Sequence, residues 1–261
     1  MTTLTRAFAG ARRRAAMLRE RGDAVWCPVC GHAFRRFKDA WNRPDALCWR
    51  CGSHERHRAQ WLLFERRPEL LGGCSALLHF APEYCLRTPL ARAARRDGFR
   101  YETADLDATG VDLHLDVTRL ALADGAYDAI LCSHVLEHVP DDRGALRELR
   151  RVTAPGGWCL VMVPLDLARE QTYEDPSITT PEARLAAYWQ PDHVRLFGRD
   201  VAERVRAAGF EVAVLQPREA FGEALMRRAR LLESDWLLLC QDPAATSAAS
   251  LDRSGTPQPD T

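Results

Sequence analysis

Few folds accommodate the stretch from Tyr127 to Pro164, YDAILCSHVLEHVPDDRGALRELRRVTAPGGWCLVMVP. Its opening apolar run, Ala129-Ile130-Leu131-Cys132, has the length and composition of a strand buried on both faces in a parallel sheet. Ser133 and His134 follow at the carboxyl end of that strand. Ala145, Leu146, Leu149 and Val152 then recur at helical spacing, and Pro155-Gly156-Gly157 is read as the stop. A second apolar strand runs from Trp158 to Val163, ended by Pro164. Strand, helix, turn and strand form one βαβ unit. Ligands of such sheets bind beyond the carboxyl ends of the strands, where Ser133, His134 and Pro164 fall.

Upstream lie Cys27-Pro-Val-Cys30-Gly31 and Cys48-Trp-Arg-Cys51-Gly52, with 17 residues between Cys30 and Cys48. Two cysteines two residues apart wrap one metal ion from a tight turn, and two such turns complete a tetrahedron. Cys27, Cys30, Cys48 and Cys51 are therefore expected to hold zinc in a closed, structural site. Gly31 and Gly52 each follow a second cysteine, where the turn needs positive φ or leaves N–H groups free for sulfur. His32, His54 and His57 lie nearby and read as surface or supporting residues. The other five of the nine cysteines are scattered in apolar context, which suits a reducing cytoplasm where thiols act as small hydrophobes.

Formal net charge is zero, but residues 1–71 hold 15 Arg and Lys against 7 Asp and Glu. A basic front half can serve a nucleic-acid partner, or can dock on the acidic remainder of its own chain. The second reading is favoured, because the arginines are not interleaved with aromatics as a base-stacking platform requires. No apolar run reaches the roughly 18 residues of a membrane span, and the arginine-bearing N-terminus lacks the apolar core of a secretory signal. A cytoplasmic chain is expected.

The remaining elements follow in order. Residues 4–21 carry an amphipathic pattern, Leu4, Phe8, Ala11, Ala15 and Leu18 sharing one helical face. Ser53 to Arg67 reads as a helix capped by Ser53. Ser75–Phe80 and Arg100–Ala104 read as the first two strands of the larger domain, with a helix from Leu86 to Arg96 between them, and Leu113–Leu115 as a short third strand. After the fifth strand, residues 165–195 are polar and proline-broken, and a segment of that length in a compact domain is usually functional. Arg199–Ala208 is helical, Phe210–Leu215 and Asp235–Cys240 pair as the last strands with a basic helix around Leu225–Leu231 between them, and residues 243–261 read as a disordered tail. The expected organisation is an N-terminal helix (1–25), a four-cysteine zinc ribbon (26–58), a connecting helix (59–71), an α/β doubly wound, Rossmann-like seven-stranded domain (72–242) and the tail.

The Tyr127–Pro164 run resembles the Class I S-adenosylmethionine (SAM) dependent methyltransferases. The match lies in Tyr127-Asp128, His134–Val139, Ala145–Val152, Pro155–Gly157 and Pro164. It is closest to a type-11-like bacterial subfamily with a four-cysteine ribbon, a CGS-x-ERHR-like segment after it and an LHFAPE first loop, here Leu78–Glu83. That loop replaces the glycine-rich turn usual in the wider family.

The resemblance implies the fold, SAM as methyl donor and a small-molecule acceptor with an O, N or C nucleophile, of the natural-product kind. It implies cofactor contacts from His79, Ala81 and Glu83 of the first loop. Asp105 would accept the ribose hydroxyls, with Asp107 its rival, and Asp116 and Val117 would take the adenine. Ser133 and His134 would lie near the sulfonium. An acidic residue at position 105 would also suit the ribose of a nicotinamide cofactor, but no G-x-G-x-x-G is present. His134 and His193 are candidate general bases. Residues 165–195 become a substrate lid with Tyr173, Glu174, Asp175 and Trp189 as its contacts; Tyr188-Trp189 stands where Phe-Gly is usual. Two alternatives remain: a zinc-module ribosomal-RNA methyltransferase, and a non-enzymatic zinc-ribbon interaction protein on a degenerate cofactor fold. Nothing in the sequence fixes an oligomeric state.

Overall fold

A computed structural model of the chain describes residues 14–40 and 43–243. Residues 14–19 are helical and a strand begins at Arg21, so the expected N-terminal helix stops short of residue 25; its part before residue 14, and the tail beyond residue 243, lie outside the described residues. The chain divides into two units.

The first unit comprises the chain up to Leu70, Glu83–Ala93 and Leu215–Leu237. Two antiparallel hairpins build its ribbon: β1 (Arg21–Cys27) with β2 (His32–Phe34), and β3 (Lys38–Ala40) with β4 (Arg43–Leu47). Helix α1 (Glu55–Arg66) follows. Ser53 does not cap it: the N-cap is His54, whose backbone N–H donates to His57 Nδ1. The hydroxyl of Ser53 is instead taken up by sulfur, 3.1 Å from Cys27 Sγ and 3.2 Å from Cys51 Sγ. Two segments distant in sequence join this unit. Arg58, fully buried, donates to the carbonyls of Ala229 and Arg230, and Cys85 Sγ lies 3.2 Å from His57 Nδ1.

The second unit comprises Leu71–Pro82, Ala94–Val214 and the chain from Leu238 onward. Its strands are β5 (Ala76–Phe80), β6 (Arg100–Asp105), β7 (Leu113–His114), β8 (Tyr127–Ser133), β9 (Thr153–Met162), β10 (Glu211–Leu215) and β11 (Leu237–Gln241), in the order β10-β11-β9-β8-β5-β6-β7. β5 pairs in parallel with β6 and β8, β6 with β7 and β8 with β9, while β11 runs antiparallel to β9. The chain winds outward from β5 to β7, then crosses back to β8 and winds the other way. The switch point lies between β5 and β8, where ligands of doubly wound sheets bind. The expected seven-stranded, Rossmann-like sheet is present.

Between β8 and β9 lies a helix, Asp142–Val152, that buries Ala145, Leu146, Leu149 and Val152 as the spacing predicts. Asp141 caps it by accepting from Gly144 N at 2.8 Å. The Pro155-Gly156-Gly157 triplet does not form the stop. The helix ends at Val152 and β9 begins at once, with the triplet inside the strand where its register with β8 slips between Tyr127↔Thr153 and Ala129↔Trp158. Gly157 is required there, because a Cβ would sit 2.7 Å from the carbonyl oxygen of Asp128. No helix among the described residues is long and apolar enough to cross a membrane.

Candidate functional site

In the first unit the four ribbon cysteines converge. Cys27 Sγ is 3.5 Å from Cys51 Sγ, Cys30 Sγ is 3.7 Å from Cys48 Sγ, and the four sulfurs lie within 4.8 Å of one another. Gly31 and Gly52 adopt φ of +70° and +72°. Their N–H groups close turns onto the carbonyls of Cys27 and Cys48, each at 2.9 Å, so positive φ is the need these glycines meet. His32 bonds the carbonyl of Cys30 and faces Arg50, so it stands beside the cluster and not in it. Four sulfurs at these distances suit one tetrahedral ion with no open position.

In the second unit the carboxyl ends of β5, β6 and β8 lie level, since Phe80 pairs with both Ala104 and Cys132. Parallel neighbours sit about 4.8 Å apart, so the ends of β6 and β8 are on the order of 10 Å apart across β5. Two residues directly beyond these ends adopt left-handed backbone without being glycine: Ala81 at φ +44° and His134 at φ +54°. Such conformations carry strain and cluster at functional sites. The glycines missing from the first loop are thus replaced by a single alanine in a conformation glycine would favour, held by Ala81 N donating to the carbonyl of Ala104 at 2.8 Å.

Asp105 closes β6. Its Oδ1 accepts from the N–H groups of Asp107 and Ala108 at 3.0 and 2.9 Å, which fixes the carboxylate and makes Asp107 its support. Asp116, past β7, accepts on Oδ1 from Thr118 N and Oγ1 at 2.9 and 2.7 Å. The hydroxyl first, then the amide, holds its carboxyl below the usual carboxylate range. Val117 is buried beside it, and Ser133 is buried at the end of β8. The other first-loop residues have contacts of their own. His79 has no exposed surface, its Nδ1 2.9 Å from Tyr101 Oη. Glu83 belongs to the first unit, with Oε1 3.5 Å from His57 Nε2.

Residues 165–195 contain a helix, Pro181–Tyr188, capped by Thr180. Glu174 is bound by two arginines: Arg195 Nε at 3.0 Å and Arg204 Nη2 at 2.5 Å. Asp175 N donates to Tyr188 Oη at 2.9 Å, and its carboxylate caps Ser177. The rings of Tyr173 and Tyr188 are 5.6 Å apart. Tyr188 is buried, while Trp189 is 51% exposed and takes φ +72° as the helix C-cap. The indole therefore occupies a left-handed position that suits glycine. Arg195, which the sequence reading did not single out, is buried and donates to the carbonyls of Leu136, Val139 and Pro140, fastening this segment to the turn after β8.

That turn carries Glu137, also not singled out, although it lies in the Glu-His pair of the recognised run. It has no exposed surface. Its Oε1 is 3.2 Å from His134 Nδ1, without hydrogen-bond geometry. Burial works to raise its pKa, but contact with His134 and the charges of His134 and His138 outweigh it and hold the carboxyl below the usual range. His193 is 1% exposed, with Nδ1 2.9 Å from the carbonyl oxygen of Tyr188, and burial depresses its pKa. His138 lies 3.2 Å from an Asp192 oxygen and stacks edge-on against His193.

Residues 85–215 match the profile of a methyltransferase domain. This is half of the chain, and the protein belongs to the methyltransferase-domain family. Its sequence is 50% identical over 46 residues to demethylmenaquinone methyltransferase of Mycolicibacterium vanbaalenii, covering 18% of this chain and 20% of that protein. It is 35% identical over 126 residues to an uncharacterized 37.1 kDa protein in a transposon of Streptomyces fradiae, covering 45% of this chain and 34% of that one. The matched stretch thus spans a fifth to a third of these relatives. Among solved structures, the [4+2]-cyclase SpnF aligns at TM-score 0.49 with 18% identity, over 80% of this chain and 86% of its own. A SAM-dependent methyltransferase from Archaeoglobus fulgidus aligns at 0.46 with 14% identity, over 72% and 95%.

Proposed function

We propose that the protein transfers the methyl group of SAM to an O, N or C nucleophile of a small molecule, with SAM in the crevice beyond β5, β6 and β8. The observation that carries this reading is the pair of left-handed, non-glycine residues Ala81 and His134 at the ends of adjacent strands. A methyl group is the largest side chain at Ala81, so the backbone there is open to close approach. Asp105 would accept the ribose hydroxyls, since its Oδ1 is already fixed and its Oδ2 accepts no hydrogen bond among the described residues. Asp116 and Val117 would flank the adenine, and Ser133 and His134 the sulfonium end.

SAM brings a methyl group already activated by its sulfonium, so the protein's contribution is alignment of donor and acceptor. Where the acceptor carries a proton of high pKa, His134 is the base. Its Nδ1 lies 3.2 Å from a Glu137 oxygen, and that carboxylate would stabilise the imidazolium formed when the ring takes up the proton. His193 is too deeply buried to share that task. Tyr173 and Trp189 would border the acceptor. Glu174 is tied to Arg195 and Arg204, and Asp175 to Ser177 and Tyr188, so both would shape the segment without touching the acceptor.

Zinc is the ion proposed for the four ribbon cysteines, with a structural role. Against an RNA acceptor, three of the basic side chains of the first unit are spent internally: Arg58 on four backbone contacts, Arg66 on the carbonyls of Ala220 and Phe221, and Arg43 on Glu55. Calorimetric titration of the zinc-loaded protein with S-adenosylhomocysteine tests the reading. Micromolar binding is expected, and absence of binding would refute it.

A further inference from the structure

Among the described residues, two groups of side chains can hold a metal ion: the four ribbon cysteines, and Glu137, His138 and His193. The second group lies in the turn after β8 and in the segment that Arg195 fastens to it. One ligand atom from each of its three residues lies within 4.8 Å of the other two.

The polar atoms here are arranged as acceptors close to one another. The carbonyl of Tyr188 can only accept, so His193 Nδ1 carries the proton of that 2.9 Å bond. In the neutral imidazole the proton-free Nε2 then faces inward, buried and without a hydrogen-bond partner. Neither carboxylate oxygen of the fully buried Glu137 has a hydrogen-bond partner, and Oε1 has only the ion-pair contact to His134 Nδ1 at 3.2 Å. Two lone-pair-bearing groups left facing each other inside a protein cost free energy unless something positive lies between them. A ring N–H given to a backbone carbonyl is also how ligating histidines are oriented toward metal. The backbone holds the group together: Val194 N donates to the carbonyl of Glu137 at 2.8 Å, so the two segments are in register at the cluster.

We propose that Glu137, His138 and His193 form a binding site for a divalent transition-metal ion, of the two-histidine, one-carboxylate kind. Glu137 and His193 close the inner side. His138 and Asp192 are solvent-accessible and lie 3.2 Å apart, so the outer side is open to exchangeable ligands. Three protein ligands with an open side mark a working site and not a structural one. The ion's use rests on the methyltransferase reading above. An acceptor hydroxyl ligating it would lose its proton, through His134 or to solvent, at a lower pH than in water. The oxygen lone pair would then form the C–O bond as the C–S bond breaks and its electron pair returns to sulfur. The acceptors favoured are hydroxyl-bearing molecules able to ligate a metal.

The test is a titration of the full chain, with its ribbon zinc in place, by Mn²⁺ followed by electron paramagnetic resonance. Mn²⁺ is too hard and too weak a competitor to displace zinc from four thiolates. One Mn²⁺ per chain is expected. Affinity should fall by more than about 100-fold in His138→Ala and in His193→Gln, beyond the loss that follows removal of a supporting residue alone. Because His193 is buried, the partly exposed His138 provides the variant least able to harm the fold, and thermal melts check both. S-adenosylhomocysteine binding is measured on the same samples. If it fails while Mn²⁺ binds, the cofactor reading falls and the metal site stands. Failure of Mn²⁺ to bind, or binding unchanged in both variants, overturns the metal site whatever the nucleoside result.

Discussion

Arg58 Nε donates to the carbonyl of Ala229 at 2.6 Å, joining residues 171 positions apart in the chain. The same guanidinium serves the carbonyls of Ala46, Ser53 and Arg230 and lies 4.4 Å from the centre of the Phe37 ring. A planar fork can meet that many acceptors at once, and an ammonium cannot. Arg58→Lys would leave buried carbonyls unpaired and should cost about 3–5 kcal/mol. Urea denaturation measures it. A loss below about 1 kcal/mol would show that Arg58 does not hold the first unit together.

The ribbon metal should be a stability element. Cys48→Ser leaves an incomplete site, so the purified variant should carry less than one zinc per chain by elemental analysis. A loss of about 3 kcal/mol corresponds to a melting temperature lower by roughly 6–12 °C in a domain of this size. Unchanged zinc content and unchanged melting would contradict a four-thiolate structural site.

Asp235 gives the first unit a pH dependence. The residue is partly exposed, but its Oδ2 is buried and unpartnered. Burial, reinforced by the charge of Glu55, pushes the carboxyl up to about 7 against the pull of Arg56 and Arg43. The folded pKa lies above the unfolded value near 3.9, so the fold prefers the protonated acid. That contribution is whole below about pH 4, is lost as pH rises toward 7 and stays lost above it. Asp235→Asn should therefore overtake the parent as pH rises. The gap should reach about 1–2 kcal/mol at pH 8, well short of the ~4 kcal/mol that a fully enclosed group would give. Denaturation midpoints across pH 5 to 8 check it; a gap that does not change with pH would contradict it.

What the sequence shows and what it hides divide along physical lines. The β8–helix–β9 unit and the four cysteines are legible because local periodicity and ligand spacing determine them. Ser53 reads as a helix cap, yet its hydroxyl is claimed by the sulfurs of Cys27 and Cys51, a contact no local pattern reveals. Pro155-Gly156-Gly157 reads as a helix stop, yet the triplet answers to the close passage of the Asp128 carbonyl on the neighbouring strand. The first loop lacks glycines, and only the backbone shows Ala81 in the conformation they would supply. Arg195 and Glu137 sit inside recognisable runs, but their importance comes from burial and from the two segments they connect.

The most direct test of the cofactor crevice is calorimetry with S-adenosylhomocysteine on the zinc-loaded parent and on Asp105→Ala. Two charge-assisted hydrogen bonds to the ribose are worth about 3–5 kcal/mol together. The parent should bind with micromolar affinity and the variant at least about 100-fold more weakly, with zinc content and circular dichroism unchanged. A parent that does not bind, or a variant that binds as tightly as the parent, would contradict the placement of the adenosyl group beside Asp105.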